Sequence, residues 1–232
     1  MIYITGDTHG DFSRFEDFCR ENDTSKNDIM IILGDAGLNF WEDLRDDRRK
    51  QYAERFEITF FCIHGNHEQR PFAISSYKMK EFHGGMVWYE EEYPDILFAK
   101  DGEIYNFDGY ECIVIGGAYS VDKNMRLLYG YPWFANEQPS PEIKAYVESQ
   151  LAKRNNKIDI VLSHTCPLDY QPTEVFLPGI DQSKVDSSTE EWLNEIEYEL
   201  DYKKWYCGHY HTSKRLYNVQ MMFEEIEKFS LD

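Results

Sequence analysis

The chain opens Met1-Ile2-Tyr3-Ile4-Thr5-Gly6-Asp7-Thr8-His9-Gly10, an apolar run broken by a glycine and followed by two side chains able to hold a metal. Residues two apart in extended backbone share a face, so Asp7 and His9 leave the end of a buried strand on the same side. Taken alone, such a pair is an ordinary strand-ending turn. The plan recurs, however. Ile29-Met30-Ile31-Ile32-Leu33 breaks at Gly34-Asp35-Ala36-Gly37, and the apolar run 58–63 breaks at His64-Gly65-Asn66-His67-Glu68. Between these runs Phe12, Phe15, Phe18 and Cys19 recur at helical spacing, and the charged segment 43–56 carries apolar Leu44, Tyr52, Ala53 and Phe56. Repeated strand, loop and helix predict neighbouring parallel strands, and open α/β sheets bind ligands at the carboxyl ends of such strands.

Residues 84–118 change character. Short strands around Val87, Leu97, Tyr105 and Ile113 follow one another with little helix, and Asp108-Gly109 marks a tight hairpin, so this section is expected to be mostly antiparallel. Residues 119–139 are expected to form a long functional loop. Ser140-Pro141-Glu142 opens a helix running to about Asn155. A strand at 158–162 then ends in Ser163-His164, and a polar segment leads into a helix from about Thr189 to Leu200. Trp205-Tyr206-Cys207 closes in Gly208-His209-Tyr210-His211, and a last strand is expected from Arg215 to Ile226.

Length and composition set the frame. The 232 residues suit a single domain, 1–232, and 42% hydrophobic with 16% aromatic residues is ample for a packed core. A net charge of −19, from 43 acidic against 24 basic residues, argues against generic binding to nucleic acid or an anionic membrane. It does not argue against a phosphorylated substrate, because bound divalent cations would reverse the local sign. Five scattered cysteines without a Cys-x-x-Cys pair fit reduced thiols in a cytoplasm. Neither a basic leader with a long apolar stretch nor a run of about 18 apolar residues is present, so neither export nor membrane insertion is expected.

The strand ends together supply Asp7, His9, Asp35, Asn66, His67, His164, His209 and His211, leaving only His64 and His83 of the 7 histidines outside the set. Mixed oxygen and imidazole donors suit manganese, iron, zinc, cobalt or nickel, and the lack of cysteine ligands argues against a closed structural zinc site. So many ligands exceed the needs of one tetrahedral ion but fit two ions sharing a carboxylate.

The ordered blocks Gly-Asp-Thr-His-Gly (6–10), Gly-Asp (34–35), Gly-Asn-His-Glu (65–68), Ser-His (163–164) and Gly-His-Tyr-His (208–211) resemble the calcineurin-like metallophosphoesterase superfamily. The resemblance implies an α/β fold of two packed mixed β-sheets flanked by helices, an αββα sandwich. It implies hydrolysis of phosphate mono- or diesters by a hydroxide bridging two divalent ions, with manganese the first choice. Asp7, His9 and His211 would hold one ion, Asn66, His164 and His209 the other, and Asp35 both. His67 would stand outside the metal shell, donating a proton to the leaving oxygen or stabilising charge on the phosphoryl group. The partner would be a phosphoester, whether small molecule, nucleotide or phosphoprotein.

The sequence departs from the pattern at Leu38, where many relatives carry a second Asp that orients the histidine matching His67. Asn39 and Glu68 are the neighbouring candidates for that task. Asn39 also replaces the Arg typical of protein Ser/Thr phosphatases, which weighs against that alternative. A non-catalytic protein-binding scaffold is the alternative from another class, and the complete ligand set weighs against it. For a cationic clamp on phosphate, Arg126 is the first candidate and Arg70 the second. Tyr119, Tyr129 and Trp133 are candidates for stacking on a base or aryl group.

Overall fold

The computed structural model describes residues 1–231. Strands β1 (Ile2–Thr5), β2 (Ile29–Ile32) and β3 (Thr59–Cys62) are buried at every position, which is why their sequences are apolar on both faces rather than alternating. They pair in parallel in that order, as expected. Helices α1 (Arg14–Glu21) and α2 (Leu44–Ala53) connect them and cover one face, where Phe15, Cys19 and Ala53 pack with Tyr3, Met30 and Phe60. The side chain of Asp43 caps α2 by accepting from the Arg45 amide.

Strands β4 (Lys78–Phe82), β5 (Gly85–Glu90) and β6 (Tyr93–Ala99) form an antiparallel meander whose last member returns parallel to β3. β4 is absent from the reading of the sequence. Its Lys-Met-Lys-Glu-Phe lies at the sheet edge, largely exposed, where charge is protective and hides the strand signal. The Asp108-Gly109 turn, with φ of 52° and 87°, joins β7 (Ile104–Phe107) to β8 (Tyr110–Ile115) as expected. Both belong to a second sheet, so the antiparallel section is divided between two sheets.

The expected long loop contains a short helix, α3 (Lys123–Tyr129). α4 (Pro141–Ala152) starts where the sequence says, with Ser140 Oγ accepting from the Ile143 amide at 3.3 Å. Strand β9 (Ile160–Ser163), helix α5 (Ser188–Glu199) and strand β10 (Lys204–Cys207) follow. The single strand expected from Arg215 to Ile226 is corrected to three: β11 (Lys214–Leu216), β12 (Val219–Met221) and β13 (Ile226–Lys228). Tyr217, at φ 53°, turns β11 back on β12, and the chain then crosses to pair β13 antiparallel with β1.

The result is a seven-stranded sheet, β13-β1-β2-β3-β6-β5-β4, packed on a six-stranded one, β11-β12-β10-β9-β8-β7, with helices on the outer faces. Both sheets are mixed, as the resemblance implies. Phe61 sits in the layer between them, edge-on to Tyr105 at 4.8 Å and to Phe107 at 5.1 Å. No helix among the described residues is long and apolar enough to cross a membrane. Phe61→Ala should remove this aromatic bridge and lower the unfolding free energy by about 3–5 kcal/mol in urea denaturation. A loss below about 1 kcal/mol would show that the inter-sheet layer does not depend on it.

Candidate metal centre

The loops leaving β1, β2, β3, β9 and β10 are tied to one another before any side chain is considered. The Thr8 and His9 amides both donate to the Asp35 carbonyl, at 3.3 and 2.8 Å, and the Gly208 amide donates to the His164 carbonyl at 2.9 Å. His9, Asp35, His209 and His211 all take positive φ, between 47° and 69°. Such backbone is uncommon outside glycine, and its concentration here marks a set of side chains aimed at a common point. Two glycines permit the close approach. A Cβ on Gly34 would fall 2.0 Å from His164 Nδ1, and one on Gly65 would fall 1.9 Å from Asp35 Oδ1.

All seven expected ligands converge. His9 Nε2 and His211 Nε2 lie 2.8 Å apart, and both face Asp7 Oδ2, at 3.7 and 3.4 Å. Asn66 Oδ1 lies 2.8 Å from His164 Nε2 and 3.0 Å from His209 Nδ1. Asp35 Oδ2 faces both groups, 4.0 Å from His9 Nδ1 and 3.7 Å from His164 Nε2. Asp7, His9 and His211 form one cluster of donor atoms within 4.8 Å, Asp7, Asp35 and His164 another, and His9, Asp35 and His67 a third.

This donor set fits divalent cations. Asp7 Oδ2 is buried and has no hydrogen-bond partner, a costly state for a carboxylate oxygen unless a cation meets it. The ion-pair partners of Asp7 and Asp35 are imidazoles, His9 with His211 and His9 with His164 respectively. Burial works to raise both carboxyl pKa values, but the surrounding imidazoles prevail and hold them below the usual range. Burial lowers His209 to about 3, which keeps its ring neutral and free to ligate.

Beyond the expected ligands, the surroundings of His67 bear on what Leu38 leaves open. The side chains of both neighbouring candidates are engaged elsewhere. Asn39 accepts from the Tyr77 hydroxyl at 3.0 Å, and Glu68 accepts from the Gly65 and Gly37 amides at 3.1 and 3.3 Å, bracing two ligand loops. Burial and the Asp35 carboxylate push Glu68 up to about 8. The carboxylate facing His67 is Asp122, with Oδ1 3.5 Å from Nε2. Burial would lower the His67 pKa, but Asp35 and Asp122 outweigh it and the value is raised. Asp122 carries no spacing signal, because it reaches the site from the segment before α3.

The two candidate clamps sit elsewhere. Arg126 is buried behind the site, donating from Nε to the Pro132 carbonyl and from Nη1 to Ser120 Oγ, which in turn accepts from Asn66 Nδ2 at 2.9 Å. It thereby braces Asn66, an expected ligand, and its Nη1 also lies 3.9 Å from Asp122 Oδ1. Arg70 is committed to a buried ion pair with Asp101 and to the Asn136 carbonyl. Of the aromatic candidates, Tyr119 lines the cleft, Tyr129 is exposed, and Trp133 is tied to Glu137 with Lys123 over its ring. Gly65→Ala should lower both the melting temperature and the metal content of the purified protein. Wild-type values for both would show that the loops tolerate a Cβ there.

A model of the calcineurin-like phosphoesterase family matches residues 1–213. No curated protein matches the chain. Among solved structures, the TT1561 protein of Thermus thermophilus is similar with a TM-score of 0.53 at 11% identity, covering 100% of this chain and 98% of that one. A second solved chain gives 0.51 at 13% identity, covering 99% and 98%. Phosphopantetheinyl hydrolase (PptH) from Mycobacterium tuberculosis gives 0.38 at 15% identity, covering 96% and 87%. The first two likenesses are of fold. With the family match running from β1 past His211, the chain belongs to the calcineurin-like phosphoesterase family.

Proposed function

We propose that this chain hydrolyses phosphate mono- or diesters with two divalent cations, manganese first among manganese, iron, zinc, cobalt and nickel. In this reading Asp7, His9 and His211 hold one cation, Asn66, His164 and His209 the other, and Asp35 both. The observation that carries it is the convergence of these seven side chains from five loops around a buried Asp7 oxygen that has imidazoles near it but no hydrogen bond. When bound, such ions polarise the phosphoryl oxygens and lower the pKa of a water that attacks phosphorus.

The rest falls to the chain's own groups. His67 borders the donor set, and Asp122 faces its Nε2 from the other side. Once cations occupy Asp35, Asp122 is the carboxylate left to favour the protonated imidazole. His67 then gives its proton to the alcohol oxygen as the phosphorus–oxygen bond breaks, so that the alcohol leaves neutral and phosphate retains the oxygen of water. Ser120, held by Arg126 and by Glu137 at 2.5 Å from its Oγ, keeps the Asn66 amide turned so that its Oδ1 faces His164 and His209. Five buried free thiols support a reducing, cytoplasmic setting for a single 1–232 domain.

Asp35→Asn should lose bound metal and turnover together. Full metal content by elemental analysis would contradict the shared role of Asp35. His67→Ala should keep its metal and lose about 10²–10⁴ of turnover. Asp122→Asn, acting through His67, should cost about 10–100-fold. The pair is tested by a double-mutant cycle, in which His67→Ala with Asp122→Asn should be no slower than His67→Ala alone. Additive losses would separate Asp122 from His67.

A further inference from the structure

A cleft of about 390 Å³ opens from the donor set. That is the volume of a drug-sized ligand, several times what a phosphoryl group fills, so most of it must receive the rest of the substrate. Its floor is His9, Asp35, Asn66, His67 and His209. Its walls are of another kind. Val121, Val175, Phe176, Leu177, Ile180 and Val185 line the cleft as well.

This apolar wall is built and held in place. Short 3₁₀ turns at Thr173–Val175 and Gln182–Lys184 stiffen it. Phe176 stacks on Tyr210, the residue between two expected ligands, and Glu174 is ion-paired to Lys214 of β11. Yet Val175 and Leu177 remain 41% and 59% exposed, apolar side chains fixed beside a reaction centre with nothing of the chain covering them. Apolar surface of this kind is stabilised by removal from water.

Charge points the same way. The titratable side chains lining the cleft are carboxylates, imidazoles and tyrosines, with no Lys or Arg among the described lining residues. Asp122 and Glu190 lie on it, and Arg126 is turned to Ser120. Cations in the donor set would neutralise the reacting phosphoryl group, but a second phosphate farther along the cleft would find no Lys or Arg among the described lining residues to receive it.

From these observations we infer that the substrate is a phosphoester of an apolar, uncharged alcohol, whose chain or ring lies against the 175–185 wall. The inference rests on the hydrolase reading above. The same surface disfavours nucleotide polyphosphates, sugar bisphosphates and acidic phosphopeptides, which carry further anionic groups.

The test uses the full chain loaded with manganese and a series of n-alkyl phosphates from methyl to octyl, with the matching methyl alkyl diesters. Their leaving alcohols differ little in acidity, so a trend in kcat/KM reports contact with the wall. We expect kcat/KM to rise about two- to fourfold per methylene until the wall is covered, and adenosine triphosphate to be turned over more slowly than the octyl ester. Combined Val175→Ser, Leu177→Ser and Ile180→Ser substitutions, two at exposed positions and one at a half-buried one, should flatten that slope in a protein of unchanged melting temperature. Turnover with no dependence on chain length, or a wild-type slope in the triple variant, overturns this inference and leaves the hydrolase reading standing. Absence of turnover with every ester overturns both.

Discussion

Two carboxylates withdrawn from water, Asp7 and Asp35, set the terms for everything around them. Each is 2% exposed. A buried, ionised carboxylate is costly unless hydrogen-bonded and paired with opposite charge. Amides relieve part of this: the His209 amide donates to Asp7 Oδ1 at 2.9 Å and the His67 amide to Asp35 Oδ1 at 2.7 Å. The remaining oxygens, both Oδ2, point at imidazoles, and that of Asp7 has no hydrogen-bond donor at all. A fold that stopped here would keep an electrostatic deficit at its centre. Divalent cations held there would remove it, so that on the proposed reading the site's chemistry and its stability are one problem. The two-sheet architecture serves this end by bringing the carboxyl ends of β1, β2 and β3 against those of β9 and β10.

The parts of the fold that can be read from sequence are those in which one local rule acts alone. β1, β2 and β3 are covered on both faces, so burial writes itself as uninterrupted apolar runs, and the abrupt glycine-carboxylate breaks after them locate the site. Asp108-Gly109 announces its turn because few other residues accept two successive positive φ values. Where two requirements compete, the signal fails. β4 must pair on one side and resist pairing on the other, so its charges mask it. The 214–228 stretch alternates well enough for one strand, but Tyr217 and the run 222–225 divide it, and nothing local says that its last piece belongs to the other sheet.

The same distinction separates the ligands from their supports. A ligand must be one of a few residue types directly after a strand, which composition and position reveal together. A support can come from anywhere the chain returns. Ser120, Glu137 and Arg126 hold Asn66 from a loop more than fifty residues downstream, and no spacing rule connects them. Arginine as a residue type therefore misleads: both Arg70 and Arg126 have the chemistry of a phosphate clamp, but Arg70 is paired with Asp101 and the Asn136 carbonyl, and Arg126 with the Pro132 carbonyl, the Ser120 hydroxyl and, at 3.9 Å, Asp122.

Leu38 shows what such substitution of support can do. It lies fully buried among Phe12, Ala36 and Phe98, so the position where relatives place an orienting carboxylate has become part of the core. The carboxylate that faces His67 comes instead from Asp122, next to Val121 in the wall of the cleft. Here the support belongs to the surface that receives the substrate. A substrate chain that packs against Val121 therefore also bears on the segment that holds Asp122, and through it on the direction of the His67 proton. On the proposed reading, binding of the alcohol portion and protonation of its oxygen would be joined in one short stretch of chain, so contact energy gained along the wall would be expressed in the bond-breaking step as well as in affinity.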